Sequence, residues 1–205
     1  MASKIDTIIF DLGGVLIDWN PRYLYNKIFE DEAKTEWFLE NICTGDWNER
    51  QDAGNTLQAG TEELVALYPD WKNEITAYYG RWTEMLGGAI EETVEILRTL
   101  KEKNEVKLYA LTNWSAETFP LALDRFEFLN WFDGIVVSGV EKTRKPFADF
   151  YHILLKRHDV VPDKTLFIDD NERNILGAES IGIHGIVFTS ADKLKQELRD
   201  WGINV

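Results

Sequence analysis

The stretch that decides the fold lies close to the N-terminus and reads Ile8-Ile9-Phe10-Asp11-Leu12-Gly13-Gly14-Val15-Leu16. It begins with an apolar run typical of a buried strand, and an acid ends that run. Two glycines follow closely, so the backbone here can approach a ligand. A carboxylate at the mouth of a sheet can serve as a nucleophile or a metal ligand. The residue two positions after the acid is Gly13, which has no acid of its own.

Apolar runs bounded by loop residues predict five short buried strands. They are Thr7–Asp11, Val106–Thr112, Gly134–Ser138, Thr165–Asp169 and Gly185–Thr189. Apolar residues at helical spacing separate these runs, in the groups Ile90/Val94/Leu97/Leu100, Phe147/Phe150/Tyr151/Leu154, Ile175/Ala178/Ile181 and Leu194/Leu198/Trp201. The alternation indicates an α/β protein with a Rossmann-like, doubly wound parallel sheet.

The alternation is interrupted between about residues 18 and 88. This segment has no clear strand and is helical in character, so we interpret it as a helical cap inserted after the first strand. The predicted domains are therefore a core at residues 1–17 and 89–205 and a cap at residues 18–88. Gly87 and Gly88 stand at the exit of the insert, where they can act as a hinge.

Composition limits the classes of function. The net charge is −14, from 36 acidic and 22 basic residues. This balance argues against nucleic acid or an acidic membrane as a partner, because Lys and Arg dominate binding to phosphate backbones. One cysteine, Cys43, allows no internal disulfide. With no signal peptide or membrane span in the pattern, we expect a cytoplasmic protein that is a monomer or a weak homodimer.

Polar residues collect where the predicted strands end. Ligands of an open parallel sheet bind beyond the carboxyl ends of its strands. Asp11 ends the first strand, Thr112 the second, and Asp169 the fourth, while Ser138 leads from the third towards Lys145. We therefore expect three carboxylates, a hydroxyl and an ammonium at the carboxyl ends of the strands, the third carboxylate being that of Asp170. The polar residue Asn174 follows at the start of the next helix.

This set of groups suits phosphoryl transfer. Two or three carboxylates at a strand mouth suit Mg²⁺, which prefers oxygen ligands. Asp11 can then attack phosphorus and form an acyl-phosphate that water later hydrolyses. Thr112 and nearby backbone amides would hold phosphoryl oxygens, and Lys145 would supply positive charge where negative charge builds up.

Four segments resemble the motifs of the haloacid dehalogenase-like hydrolase superfamily: Asp11-Leu-Gly-Gly-Val, Thr112-Asn, Lys145-Pro and Asp169-Asp-Asn-Glu-Arg-Asn. The resemblance spans the chain and includes the helical cap. It implies Asp11 as nucleophile and Thr112 with Asn113 as phosphate ligands. It also implies Lys145 as the lysine that binds the phosphate and orients it together with the nucleophile. It also implies that Asp169 and Asp170 hold Mg²⁺ with Asp11 and the Gly13 carbonyl.

Gly13 departs from the pattern of that superfamily. Most of its phosphatases carry a second Asp there, which protonates the leaving group and then activates water. The loss is large, since general acid–base help contributes about 10²–10⁴-fold. Either another acid replaces it or the leaving group needs little help. The sequence is similar to a bacterial subgroup with glycine here that is associated with sugar-1-phosphate hydrolysis, and that similarity covers Trp47–Gly54 and Trp82.

Three interpretations therefore stay open. The first is a phosphatase acting on a small phosphorylated metabolite, such as a sugar phosphate. The second is a 2-haloacid dehalogenase, since such members also lack the second Asp, although they need no metal and the pair Asp169-Asp170 argues against this. The third is a non-catalytic module that binds phosphate or protein.

Residues of the insert should set the choice of substrate. Its tryptophans are mostly expected to form the core of the cap. Trp47, Asn48 and Arg50 fall in a polar, loop-like stretch and are candidates for facing the substrate, as is Arg22.

Overall fold

The computed structural model describes residues 4–205, so residues 1–3 of the predicted core domain lie outside the described residues. The described chain contains a five-stranded parallel sheet in the order β5-β4-β1-β6-β7. Its strands are β1 (Thr7–Phe10), β4 (Lys107–Thr112), β5 (Gly134–Val137), β6 (Thr165–Asp169) and β7 (His184–Val187). All five predicted strands are confirmed: the bounds of β6 agree, and those of the other four differ by at most two residues at either end.

Helices follow the strands on the sequence, as the alternating pattern predicts. Those that accompany the sheet are α6 (Glu91–Lys103), α7 (Phe119–Arg125), α8 (Ser138–Glu141), α9 (Ala148–Arg157), α10 (Glu172–Glu179) and α11 (Ala191–Asp200). Short 3-10 helices lie at Glu127–Trp131 and Pro162–Lys164. The four predicted helical groups correspond to α6, α9, α10 and α11. The short α7 and α8 were not predicted.

Neighbouring residues on the central strands face opposite apolar layers. Ile8 and Phe10 belong to one hydrophobic cluster, whereas Ile9 between them belongs to another. The same division holds on β6, where Phe167 faces away from Leu166 and Ile168. Both faces are therefore covered, which explains why these strands are continuous apolar runs without polar alternation.

Five helices lie between β1 and α6 on the sequence. They are α1 (Arg22–Phe29), α2 (Glu32–Asn41), α3 (Gly45–Asp52), α4 (Leu57–Leu67) and α5 (Lys72–Gly80), with 3-10 helices at Pro69–Trp71 and Trp82–Met85. The helical character predicted for this segment is thus present. The same hydrophobic cluster contains Phe10 of the sheet and Phe38 of α2, so apolar packing is continuous between the insert and the sheet.

The expectation that this segment contains no strand is wrong at both of its ends. Two short strands, β2 (Ile17–Trp19) and β3 (Leu86–Ala89), pair antiparallel where the chain enters and leaves the insert. They escape the sequence pattern because they are only three and four residues long, and because β3 contains Gly87 and Gly88, which have no side chain to show alternation. The predicted hinge glycines therefore lie inside a paired strand, and hinge motion stays a prediction.

Among the described residues, no helix combines the length and the apolar character that crossing a bilayer requires.

The insert is stabilised by an aromatic cluster around Phe38, which is fully buried. Its ring centroid lies 4.8 Å from that of Tyr25, 5.2 Å from that of Phe29 and 5.4 Å from that of Trp71. Rings from α1 and from the 3-10 helix at Pro69–Trp71 thus meet on one side chain of α2. Aromatic contacts of this kind add to the free energy gained from buried apolar area.

We expect Phe38→Ala to lower the free energy of unfolding by about 3–5 kcal/mol, because it leaves a cavity at a site where three rings converge. Leu67→Ala is the matched control, since that side chain is 65% exposed and should change stability by no more than about 0.5 kcal/mol. Urea unfolding followed by circular dichroism measures both. Equal losses in the two variants would contradict the proposed importance of the cluster.

Candidate active site

The carboxyl ends of the parallel strands lie together at one end of the sheet, which is called the sheet edge below. Asp11, the first predicted site residue, lies there. Asp11 directly follows β1 and is 8% exposed. Its backbone N–H donates to the carbonyl of Ile168 on β6 at 2.8 Å, and its own Oδ1 accepts from the backbone N–H of Leu12 at 2.7 Å. The acid is thus fixed between the central strand and the glycine turn that follows.

Lys145 is fully buried and pairs with two acids. Its Nζ lies 2.9 Å from Oδ2 of Asp11 and 2.6 Å from Oδ2 of Asp169. Burial alone would lower the pKa of this ammonium, but the two carboxylates outweigh burial and raise it. Lys145 is therefore a permanent positive charge inside the protein.

Asn113 holds the backbone of Lys145 in place. Its Oδ1 accepts from the backbone N–H of Lys145 at 2.9 Å, and its Nδ2 donates to the carbonyl of the same residue at 3.1 Å. Asn113 directly follows β4, so this pair of hydrogen bonds joins the loop before α9 to the sheet edge. A short polar side chain at a strand end thus holds the backbone from which the buried ammonium extends.

Asp169 is fully buried at the end of β6 and has partners besides Lys145. Nδ2 of Asn174 donates to both carboxylate oxygens, at 3.0 and 3.1 Å. The backbone N–H of Asn171 donates to Oδ1 at 2.8 Å. The structure therefore gives Asn174, predicted only as a polar group at a helix start, a definite role in orienting an acid.

Three carboxylates meet at this edge. Asp11, Asp169 and Asp170 each offer an oxygen, and these oxygens lie within 4.8 Å of one another. Burial raises the pKa of Asp11 to about 7, against the lowering effect of Lys145, and Asp169 and Asp170 add to the rise. Burial and Asp169 likewise raise the pKa of Asp170. An all-oxygen set in which the acids repel one another fits a hard divalent cation, because such a cation would relieve that repulsion.

The glycine turn shapes the approach to these acids. Gly14 has φ +73°, and its backbone N–H donates to the carbonyl of Ile17 at 2.9 Å. A Cβ at Gly14 would lie 2.3 Å from Oδ2 of Asp170. At Gly13, by contrast, an added Cβ would meet nothing within 4 Å. The turn thus needs glycine at position 14, while the space beside Gly13 is open.

Thr112 presents a buried hydroxyl that has no partner. It ends β4 and is 1% exposed, and its Oγ1 makes no hydrogen bond within the described chain. A buried polar atom without a partner costs free energy, and a ligand bound at this end of the sheet would supply the missing partner. The neighbouring strand end carries Asp11, so such a ligand would lie beside that acid.

A cavity opens next to the glycine turn. It is lined by residues from the sheet edge and the insert, namely Gly13, Trp19, Asn48, Asp52, Tyr79, Trp82, Asn113, Trp114, Ser115 and Thr118. Asp52, Tyr79, Trp114 and Ser115 were not predicted as site residues. Asp52 and Tyr79 reach the cavity through packing of the insert against the strand ends, which no local pattern encodes. Trp114 and Ser115 directly follow Thr112-Asn113 at the end of β4, so their place next to a strand end is the signal that could have indicated them.

Of the four predicted specificity residues, the structure brings only Asn48 to the cavity. The sequence pattern predicts a loop for the stretch that contains Asn48, and this prediction is wrong, because the stretch forms helix α3. Thr44 caps this helix, since its side chain accepts a hydrogen bond from the backbone N–H of Trp47. Trp47 is therefore turned into the insert, where its ring packs on Tyr78 and Tyr79.

The other two predicted residues are cations that form exposed ion pairs. Arg22 pairs with Glu36 and Arg50 pairs with Glu63, and neither arginine lines the cavity. These pairings give both side chains a partner on the surface of the insert.

Comparison with known proteins identifies the family. Residues 5–182 match the haloacid dehalogenase-like hydrolase family. The chain belongs to this family and is a hydrolase, and the fold described above agrees with that membership.

Relatives with assigned activities include phosphatases. The chain is 29% identical to a sesquiterpene phosphatase from Aspergillus oryzae over 97% of both chains. It is 24% identical to a phosphorylated carbohydrates phosphatase from Thermotoga maritima, over 92% of this chain and 88% of the relative. A HAD family enzyme from Bacteroides thetaiotaomicron has been solved in complex with magnesium and inorganic phosphate, and it has the same fold. The TM-score is 0.67 at 19% sequence identity, and the comparison covers 90% of this chain and 94% of the Bacteroides chain.

The two glycines of the turn provide a matched pair of variants. Gly14→Ala should cost about 1–3 kcal/mol of stability, because alanine is strained at a positive φ, and the carboxylate of Asp170 must also move. Gly13→Ala should cost nothing and can stabilise by up to about 1 kcal/mol, since alanine restricts the unfolded chain. Urea unfolding compares the two, and equal effects would contradict the description of the turn.

Proposed function

We propose that this protein is a magnesium-dependent phosphatase that hydrolyses a small phosphorylated metabolite through an aspartyl-phosphate at Asp11. The observation that carries the proposal is the arrangement around that acid. A buried ammonium touches Asp11 on one side, and the unpartnered hydroxyl of Thr112 ends the adjacent strand. A phosphoryl group would satisfy both.

Magnesium suits the three acids. Asp11, Asp169 and Asp170 would hold the cation together with the backbone carbonyl of Gly13. When bound, it would neutralise part of the charge of the phosphate and of the acids. The Bacteroides enzyme, which has the same fold, binds magnesium and inorganic phosphate, and this supports the same cofactor here.

The residues of the chain divide the proposed reaction between them. Asp11 attacks phosphorus with one carboxylate oxygen, and the bond to the leaving oxygen breaks. Lys145 keeps the carboxylate oriented and holds positive charge where the transferring group becomes more negative. Thr112 and Asn113 would donate hydrogen bonds to phosphoryl oxygens. Water then hydrolyses the aspartyl-phosphate and releases inorganic phosphate.

The cavity supports a small substrate with an apolar or ring-shaped part. Its wall combines the aromatic rings of Trp19, Tyr79, Trp82 and Trp114 with the amides of Asn48 and Asn113. Aromatic rings stack on the faces of sugars, and the amides can bind hydroxyl groups, so we favour a sugar phosphate. In this proposal residues 18–88 form a cap that selects the substrate, and residues 1–17 and 89–205 form the catalytic core.

The alternatives of a dehalogenase and of a binding module are less well supported. Displacement of halide from carbon needs no metal, so it does not explain why the carboxylates of Asp11, Asp169 and Asp170 lie close together. A binding module would not need a carboxylate held by a buried ammonium beside an open cavity. Both alternatives nevertheless make distinct predictions in the same experiment.

The test is phosphate release from a panel that includes hexose 1-phosphates and isoprenoid monophosphates, with Mg²⁺ and with EDTA. We expect release that EDTA abolishes and Mg²⁺ restores, and we expect Asp11→Asn to reduce it to background because the nucleophile is lost. Asp6→Asn is the matched control, because Asp6 directly precedes β1 at its amino end, away from the site. This variant should retain full activity.

Activity that survives either EDTA or Asp11→Asn would contradict the mechanism. Halide release from 2-haloacids without metal would establish the dehalogenase alternative instead. Binding of Mg²⁺ and phosphate without turnover of any ester would favour the binding module.

A further inference from the structure

The missing acid at position 13 leaves a defined gap in the site. Gly13 lines the cavity, and a side chain added there would meet nothing within 4 Å. The space that an acid at this position would occupy is therefore open to the cavity. An acid from another element can reach the same space if it lines the same cavity.

Asp52 is the one acid among the residues that line this cavity. It is the last residue of α3, on the side of the cavity formed by the insert. Asp11 lies two residues before Gly13, which lines the same cavity as Asp52. A substrate bound in this cavity would contact the carboxyl group of Asp52 and extend past Gly13 towards the nucleophile.

Building on the proposed phosphatase function, we propose that Asp52 is the general acid and base of the reaction, in place of the acid absent at position 13. In the first step Asp11 attacks phosphorus, the bond to the leaving oxygen breaks, and Asp52 gives its proton to that oxygen. In the second step the Asp52 carboxylate takes a proton from the attacking water. The water oxygen bonds to phosphorus as the bond between phosphorus and Asp11 breaks, so inorganic phosphate leaves, Asp11 returns to its carboxylate form and Asp52 is protonated again.

Contacts on both sides of the cavity hold Asp52 in position. Its backbone carbonyl accepts a hydrogen bond from Oγ of Ser138 at 2.5 Å, and the same Oγ accepts from the backbone N–H of Trp114 at 2.9 Å. Earlier on the same helix, Glu49 forms ion pairs with Arg144, at 2.7 Å, and with Arg173. Helix α3 is thus attached to α8, to the loop between α8 and α9, and to α10.

A directed chain of hydrogen bonds orients the carboxyl group. Nε2 of Gln51 donates to the hydroxyl of Tyr79, which donates to Oδ1 of Asn48 at 2.9 Å. Nδ2 of Asn48 then donates to Oδ2 of Asp52 at 2.9 Å. Asn48 thus holds the carboxyl group of Asp52 at one of its two oxygens.

The electrostatic surroundings keep a proton available. Burial raises the pKa of Asp52 to about 7, against a lowering hydrogen bond from the Ser115 backbone, and the charge of Glu49 adds to the rise. Arg144 and the amide of Asn48 act in the opposite direction. The hydroxyls of Tyr78 and Tyr79 also face this group, and burial raises their pKa so far that they stay neutral. A catalytic acid is most effective when its pKa lies near the working pH.

The experiment compares two esters in the intact protein with Mg²⁺ present. An alkyl or sugar phosphate needs a proton on its leaving oxygen, whereas 2,4-dinitrophenyl phosphate releases a stable phenolate without one. Asp52→Asn should lower kcat/KM for the first ester by about 10²–10⁴-fold and for the second by less than about tenfold. With the second ester, the variant should also release a burst of about one equivalent of phenolate, as aspartyl-phosphate accumulates without its base.

The pH profile is a second readout that a purely structural role would not change. In the wild type, kcat/KM for the alkyl ester should fall as the pH rises through about 7, because the acid form of Asp52 is required. The Asn variant should lose this descending limb. Asp46→Asn is the matched control, because it removes an exposed acid from the same helix and should leave both esters unaffected.

The outcomes separate this inference from the proposed function. Equal losses for the two esters in Asp52→Asn, or no loss, would overturn the role of Asp52 while Asp11→Asn still tests the phosphatase. Failure of the wild type to hydrolyse any ester would overturn both. The side chains of Asp and Asn have nearly the same size, and an unchanged melting temperature verifies that the variant folds.

Discussion

The site depends on one buried ammonium. Lys145 is fully enclosed, and it contacts Asp11 at 2.9 Å and Asp169 at 2.6 Å. Removing one partner of a buried charge pair leaves the other charge without compensation, which typically costs about 3–5 kcal/mol. Two amides keep this charge pair in place. Asn113 fixes the backbone of Lys145, and Asn174 orients the carboxylate of Asp169. The same contacts that make the buried charges tolerable also aim the proposed nucleophile.

One ammonium is not enough for the carboxylates that meet at this edge. Asp170 joins the other two acids, and burial together with repulsion between the carboxylates raises the pKa of Asp11 and of Asp170. Such a surplus of negative charge opposes the approach of a phosphate ester. A divalent cation would correct both problems at once, so the need for a metal follows from the charges that the fold itself assembles.

Much of this arrangement is readable in the sequence, and the parts that are not have a physical cause. The strands of the sheet are recognisable because both of their faces are covered, which makes each one an unbroken apolar run, and their order along the chain brings Asp11, Thr112 and Asp169 to one edge. Residues of the insert behave differently. Trp47 and Asn48 are adjacent in the sequence, but about 100° separates neighbours around a helix, so one ring packs inside while the next amide faces the cavity. Asp52 reaches the same cavity only through packing between the insert and the sheet edge, and no local pattern encodes that.

Asn48 and Asp52 lie one turn apart on α3 and share a hydrogen bond of 2.9 Å. On the roles proposed above, one of them contacts the substrate and the other carries the proton. Adaptation to a new substrate through Asn48 would then disturb proton transfer in the same step, so mutations at the two positions should show strong epistasis. An enzyme with its acid at position 13 has no such link, since its chemistry and its selectivity lie on separate parts of the chain. An acid on the insert would therefore narrow the evolutionary routes by which such an enzyme can change its substrate.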